Sequence, residues 1–176
     1  MYPMAGRRPS TLANSAFLDA GVFIGALMRG DPRYSEARLL IDAARSGALA
    51  ACTSPSVLCE VYAALTWRGA SPPQAPADAA AAVARLVEAP SEIVVLPEGP
   101  EAAMRAMRLA AAHDLTARRI HDARHAATAL AAGVTRVVTY DTGDWHVFGT
   151  DGMAVVHPGA AWDQVRDLRL SGPDEA

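Results

Sequence analysis

Four carboxylates stand out because each interrupts a stretch that is otherwise apolar or small. They are Asp19 in FLDAG, Glu60 in VLCEVYAAL, Asp122 in RIHDARHAA and Asp141 in TYDTGDW. An enclosed carboxylate loses hydration at high cost unless a cation or hydrogen-bond donors meet it. Any one of them alone reads most simply as a helix cap, a surface charge or an ion-pair partner. Together, in this order, they point to a shared cation. Hard oxygen ligands without thiolates suit Mg²⁺ or Mn²⁺, and Mg²⁺ takes only one or two carboxylates directly while others hold its waters. Two such ions about 4 Å apart can activate a water and steady the leaving oxygen of an in-line attack on phosphate. The chemistry this predicts is phosphodiester hydrolysis.

The basic residues around these acids bear on the same question. All 16 are arginine, a side chain that meets phosphate with a planar fork of donors, although GC-rich coding accounts for the arginine and alanine excess together. The net charge of −3 supplies no global field for a polyanion. His121 and His125 are four apart and could share a helix face as in the zinc motif HExxH, but no Glu lies between them and no third ligand is marked. No Gly-x-Ser-x-Gly elbow, phosphate-binding Gly-rich loop or dinucleotide turn is present, which removes the commonest hydrolase, NTPase and dehydrogenase readings.

For the acids to meet, the elements must carry them to one edge. SAFLDAGVFIGAL reads as a short buried strand ending near Leu18, then a helix from about Gly21, with Asp19 at the junction. GDPRYSEARLLIDAARSG places Asp31 at an N-cap, Pro32 at the first helical position and Gly47 past the end. That brackets a helix whose Leu39, Leu40 and Ala43 face one way. ALAACT is a second strand. SPSVLCEVYAALTWRG opens on Ser54 and Pro55 in the same grammar, which puts Glu60 in the second turn. An alanine-rich helix ending at Pro90 precedes the strand EIVVLP, and GPEAAMRAMRLAAAHD is another helix. The irregular LTARRI leads to a helix from about His121 to Gly133, and TRVVTY and AVVHP supply the last strands. This alternation predicts an α/β fold with a central, mainly parallel sheet of four to five strands and helices on both faces. Sites in such sheets form beyond the carboxyl ends of the strands, and the four acids converge on that rim.

In this order and spacing the segments resemble the PIN-domain ribonucleases, and among them the VapC-type toxins of bacterial toxin–antitoxin pairs. The strongest part is IHDARHAATALAAGVTRVVTYD, with FLDAGVFI and SVLCEVYAAL matching the first acidic strand end and a helix-borne glutamate; the resemblance runs over residues 15–158. It implies a three-layer α/β/α fold and an endoribonuclease dependent on Mg²⁺ or Mn²⁺. Asp19, Glu60, Asp122 and Asp141 are then the metal-binding acids, Asp144 before Trp145 adds a further acid, and Thr139 is a hydroxyl beside the metal. Asp122 would act from the first turn of its helix, where the dipole favours negative charge. His121 would cap that turn or touch substrate, and Arg118, Arg119 and Arg124 would meet phosphate. The implied partners are RNA with unpaired loops, a VapB-like antitoxin, and a second copy of the chain docked through Leu39, Leu40 and Trp67. Two positions depart from the pattern. Gly21 stands where the family has a polar residue, and TYDTGDW is one residue longer than the commoner form. They motivate an alternative: a PIN-like interaction module that binds protein or RNA without cutting.

At 176 residues the chain fits one domain with a core of its own. Residues 1–14 are expected as a tail, residues 15–160 as the domain and residues 161–176 as a second tail. Cys52 and Cys59, seven apart, match neither a redox pair nor a zinc knuckle and are expected as buried free thiols. No apolar run approaches the roughly 20 residues of a membrane span, and MYPMAGRRPSTLANS lacks a secretory core, so a cytoplasmic protein is expected.

Overall fold

The computed structural model describes residues 12–70 and 72–170. The strands are short: β1 (Ala16–Leu18), β2 (Ala51–Thr53), β3 (Val94–Val95), β4 (Arg136–Val138) and β5 (Ala154–Val156). β1 and β2 are buried at every position, which is why they read as continuous apolar runs rather than alternating ones. All strands are parallel, in the order β3-β2-β1-β4-β5. The chain steps outward from β1 through β2 to β3, then returns to the other side of β1 to lay down β4. Strand order therefore reverses between β1 and β4, and a crevice opens beyond their carboxyl ends.

The helices are α1 (Ala20–Leu27), α2 (Tyr34–Arg45), α3 (Pro55–Thr66), α4 (Pro76–Val87), α5 (Pro100–Ala112), α6 (Arg119–Ala131), α7 (Thr142–Trp145) and α8 (Pro158–Leu170), with a 3-10 turn over His146–Asp151. α1 packs on α2 and α3, α8 lies on α2, and α5 pairs with α6, giving helical layers on both sides of the sheet. α6 buries Ala123, Ala126, Ala127 and Ala129, so its backbone lies close to its neighbours. Its end is fixed locally. Gly133 takes φ +76°, its N–H reaches Leu130 O at 3.2 Å and the Val134 N–H reaches Ala129 O at 2.9 Å. That is the paired closure of a left-handed helix stop. At the start of α3 the Ser54 hydroxyl accepts from the Val57 N–H at 3.3 Å, with Pro55 at the first helical position. No helix among the described residues is long and apolar enough to cross a membrane.

Several expectations are corrected. α2 begins at Tyr34 rather than behind an Asp31 cap, because the Asp31 carboxylate accepts from the Arg33 N–H and from its guanidinium, both at 2.8 Å, and closes a turn first. Leu39 is 47% exposed while Leu40 and Ala43 are buried; Leu39 lies on the opposite side of the helix from the buried Ala37, Ile41 and Ala44. Cys52 is buried as expected, but Cys59 is exposed. Residues 161–170 are not a tail but the body of α8, with Ala161 and Val165 in the core. The other tail expectations, residues 1–11 and 171–176, lie outside the described residues.

Candidate active site

Asp19 is the first residue past β1 and the N-cap of α1. Its Oδ1 accepts from the Ala20 N–H at 2.8 Å, and its Oδ2 accepts from the Thr139 hydroxyl at 2.7 Å. Thr139 follows β4 directly and is fully buried, so this hydrogen bond spans the crevice where strand order reverses. The Thr139 oxygen in turn accepts from the Asp141 N–H at 3.0 Å, which orders the turn into α7. The Asp141 side chain caps α7 through the Asp144 N–H at 3.3 Å and is solvent-exposed.

Two helices deliver the other acids to the same place. Glu60 stands in the second turn of α3 and Asp122 in the first turn of α6. Their charges act on one another. Burial pushes the Asp19 carboxyl above the usual carboxylate range, against the pull of Thr139, His125 and Ala20, and the charge of Glu60 raises it further. Burial also raises Asp122, and the charge of Asp19 adds to it, while Arg119 and His125 offset part. For Glu60 burial acts upward, but the His125 hydrogen bond and the charges of His125, His121 and Arg124 outweigh it and hold the group low.

The cationic residues lie among these acids in a way the sequence only partly indicated. Arg119, expected to meet phosphate, bridges two acids in this structure: Nε to Asp122 Oδ2 at 3.0 Å and a terminal nitrogen to Asp144 Oδ1 at 2.8 Å, with a further bond to the Asp144 carbonyl at 2.5 Å. Asp144 is thereby held against Arg119. Arg124 and His121 lie 3.6 and 3.7 Å from Glu60 Oε1, and Arg118 is exposed at the N-terminal end of α6. His125, weighed from sequence only as half of a zinc pair, is 1% exposed, and its Nε2 is 3.0 Å from Glu60 Oε1. Its signal was available, as a large polar side chain one turn beyond Asp122 on a helix of small residues.

As a donor set, these residues suit a hard divalent cation: several carboxylates and a hydroxyl, without thiolate. Asp19 and Asp122 also carry charge that their surroundings leave only partly compensated. In spacing the set is open, since among the described residues no three His, Cys, Asp or Glu side chains close into a metal-ready group. Arg119 holds Asp122, the acid that would have to turn, while Glu60 is hydrogen-bonded to His125.

A family model, the PIN domain, matches residues 16–147. The chain belongs to the PIN domain family. Among solved structures it is similar to VapC20 of Mycobacterium tuberculosis, described as a sarcin–ricin loop cleaving toxin, at 20% identity and a TM-score of 0.58, over 80% of this chain and 97% of that one. No curated protein matches the chain. The PIN fold expected from the sequence is thus the fold observed, with all five strands parallel.

Proposed function

We propose that this PIN-domain protein is an endoribonuclease dependent on Mg²⁺ or Mn²⁺ and the toxin of a type II toxin–antitoxin pair. What supports the reading is that Asp19, buried at the crevice between β1 and β4, feels the charge of Glu60 from α3 and acts on Asp122 of α6, three acids from separate segments. When bound, the cation supplies an activated water and stabilises charge on the departing oxygen. Asp19 and Asp122 present oxygens to it, with Glu60 and, through the α7 turn, Asp141 and Asp144 beside them. Thr139 holds Asp19 in one rotamer, which is what a pre-positioned ligand requires. Arg118, exposed at the N-terminal end of α6, is placed to meet an RNA phosphate, and Arg119 and Arg124 would join it there. Unpaired RNA, whose backbone can enter a crevice, is the expected substrate; the similar VapC20 is described as cleaving the sarcin–ricin loop.

Further parts of the reading concern partners. A groove of about 450 Å³ lined by Ile24, Met28, Ala63, Ala64 and Trp67 lies between α1 and α3. Ala63, Ala64 and Trp67 continue the helix face that begins at Glu60, so an apolar segment of a VapB-like antitoxin could lie there and end at the acids. Leu39 and Trp67, 47% and 67% exposed, are open to a second copy of the chain, whereas the fully buried Leu40 is not. The place of action is the cytoplasm.

The deciding experiment assays cleavage of a stem–loop RNA by the purified chain, freed of any partner, in Mg²⁺, in Mn²⁺ and in EDTA. Metal-dependent cutting lost in Asp19→Asn and Asp122→Asn is expected, and a wild-type protein that never cuts overturns the reading. A second reading, a PIN module that binds without cutting, is favoured by the pairing of both Asp122 and Asp144 with Arg119. It expects RNA or protein binding that is indifferent to the metal.

A further inference from the structure

His125 is the one large polar side chain on the buried face of α6, where its enclosed neighbours are Ala123, Ala126, Ala127, Thr128 and Ala129. Its ring lies 6.1 Å from Phe17, which in turn lies 6.4 Å from Trp145. Packed against Phe17 of β1 and 1% exposed, the imidazole has little freedom to rotate. Nε2 points at Glu60 Oε1, 3.0 Å away on another helix, and Nδ1 has no hydrogen-bond partner among the described residues. An ionised carboxylate only accepts, so Nε2 carries the hydrogen; in the neutral ring Nδ1 is then an acceptor left without a donor among the described residues.

We propose that His125 is a positioning residue for the reaction, holding the Glu60 carboxylate toward Asp19 and Asp122 from the buried face of α6. The inference rests on the nuclease reading and deepens it. Three basic side chains of α6 approach the same Glu60 oxygen, but His121 and Arg124 stand at 3.7 and 3.6 Å with side chains 50% and 36% exposed, while His125 alone is within hydrogen-bond distance and enclosed. The two exposed groups can follow substrate; the buried one cannot leave. Glu60 carries no other hydrogen bond among the described residues, so without the imidazole only the longer contacts of His121 and Arg124 would hold its carboxylate. Partners that orient ligating side chains in this way affect metal affinity and rate together.

The test compares wild type with His125→Phe, which keeps the volume, His125→Gln, which restores a donor, Glu60→Gln, and the double variant His125→Phe/Glu60→Gln. Thermal melts confirm that each is folded. His125→Phe is expected to lower the single-turnover cleavage rate about 10–100-fold with RNA KM within about twofold, and to weaken Mn²⁺ binding, read by titration of free Mn²⁺, by a similar factor. His125→Gln recovers part of both, and His125→Phe costs nothing further in the Glu60→Gln background. Nitrogen NMR of the metal-free wild type should show the hydrogen on Nε2. The proposal is overturned by wild-type rates and Mn²⁺ affinity in His125→Phe, by an equal loss in both backgrounds, or by a hydrogen on Nδ1. A wild type that cuts no RNA sinks the nuclease reading instead, and the Mn²⁺ titration with the NMR tautomer then decides the role of His125 alone.

Discussion

Two aspartates near opposite ends of α1 follow contrary physics. Asp31 is met at both oxygens by the one Arg33 side chain and by the Arg33 N–H, and those bonds hold its carboxyl below the usual range despite partial burial. Asp19 has only a hydroxyl and one backbone N–H, burial dominates, and its carboxyl is raised. The first arrangement is complete in itself, and the Arg33 guanidinium adds a stack 4.9 Å over Tyr140. The second withholds compensation from a charge the fold has enclosed, as expected of a residue kept for something that binds. One acid stabilises the fold, and the other is tolerated by it.

The contrast can be broken by substitution. The largest effect is expected from Asp19→Asn: metal-dependent RNA cleavage falls at least about a hundredfold, while the melting temperature in EDTA stays level or rises, because the amide keeps the cap and removes the unfavourable charge. A drop in melting temperature with activity retained would make Asp19 a second Asp31. Thr139→Val should come next, slowing cleavage about tenfold and lowering stability, since both the Asp19 oxygen and the Asp141 N–H lose their partner; Thr139→Ser should recover both. Asp31→Asn is expected to cost about 1–2 kcal/mol in chemical denaturation and to leave cleavage per folded molecule unchanged.

The smallest and sharpest test is pH. A raised folded value means the folded state holds its proton more tightly than the unfolded chain, so the stability withheld by ionised Asp19 returns as pH falls through that value toward 3.8. For Asp31 the sign is reversed: its contribution is present above 3.8 and is lost only as pH falls through the lowered folded value. Denaturation in EDTA should therefore show the excess stability of Asp19→Asn over wild type closing above pH 3.8. The deficit of Asp31→Asn should close only below it.

The sequence made the acidic rim readable because strand ends and helix starts carry strong local signals. Asp19 after an apolar run, Ser54 with Pro55, and Gly133 as a helix stop each act through their own neighbourhood. What escaped was decided by phase and by distant partners. Leu39 stands beside the buried Leu40, and Cys59 between the buried Val57 and Val61, so apolar type alone does not tell the inner face from the outer. α8 is anchored by Ala161 and Val165 amid charges, so it resembled a solvated tail. The Asp31–Pro32 pair followed the grammar of a helix cap until the Arg33 side chain captured the carboxylate. Arg119 and His125 could not be placed from sequence, since their partners Asp144 and Glu60 lie far along the chain and meet them only through the fold.

Asp19 joins the crevice to the backbone of α1 through the Ala20 amide at 2.8 Å. Whatever draws electron density from the outer oxygen of that carboxylate must weaken its pull on this single N–H. The Ala20 amide resonance and its solvent exchange rate are thus a built-in gauge of occupancy, legible in the intact protein without a label, a substrate or a turnover.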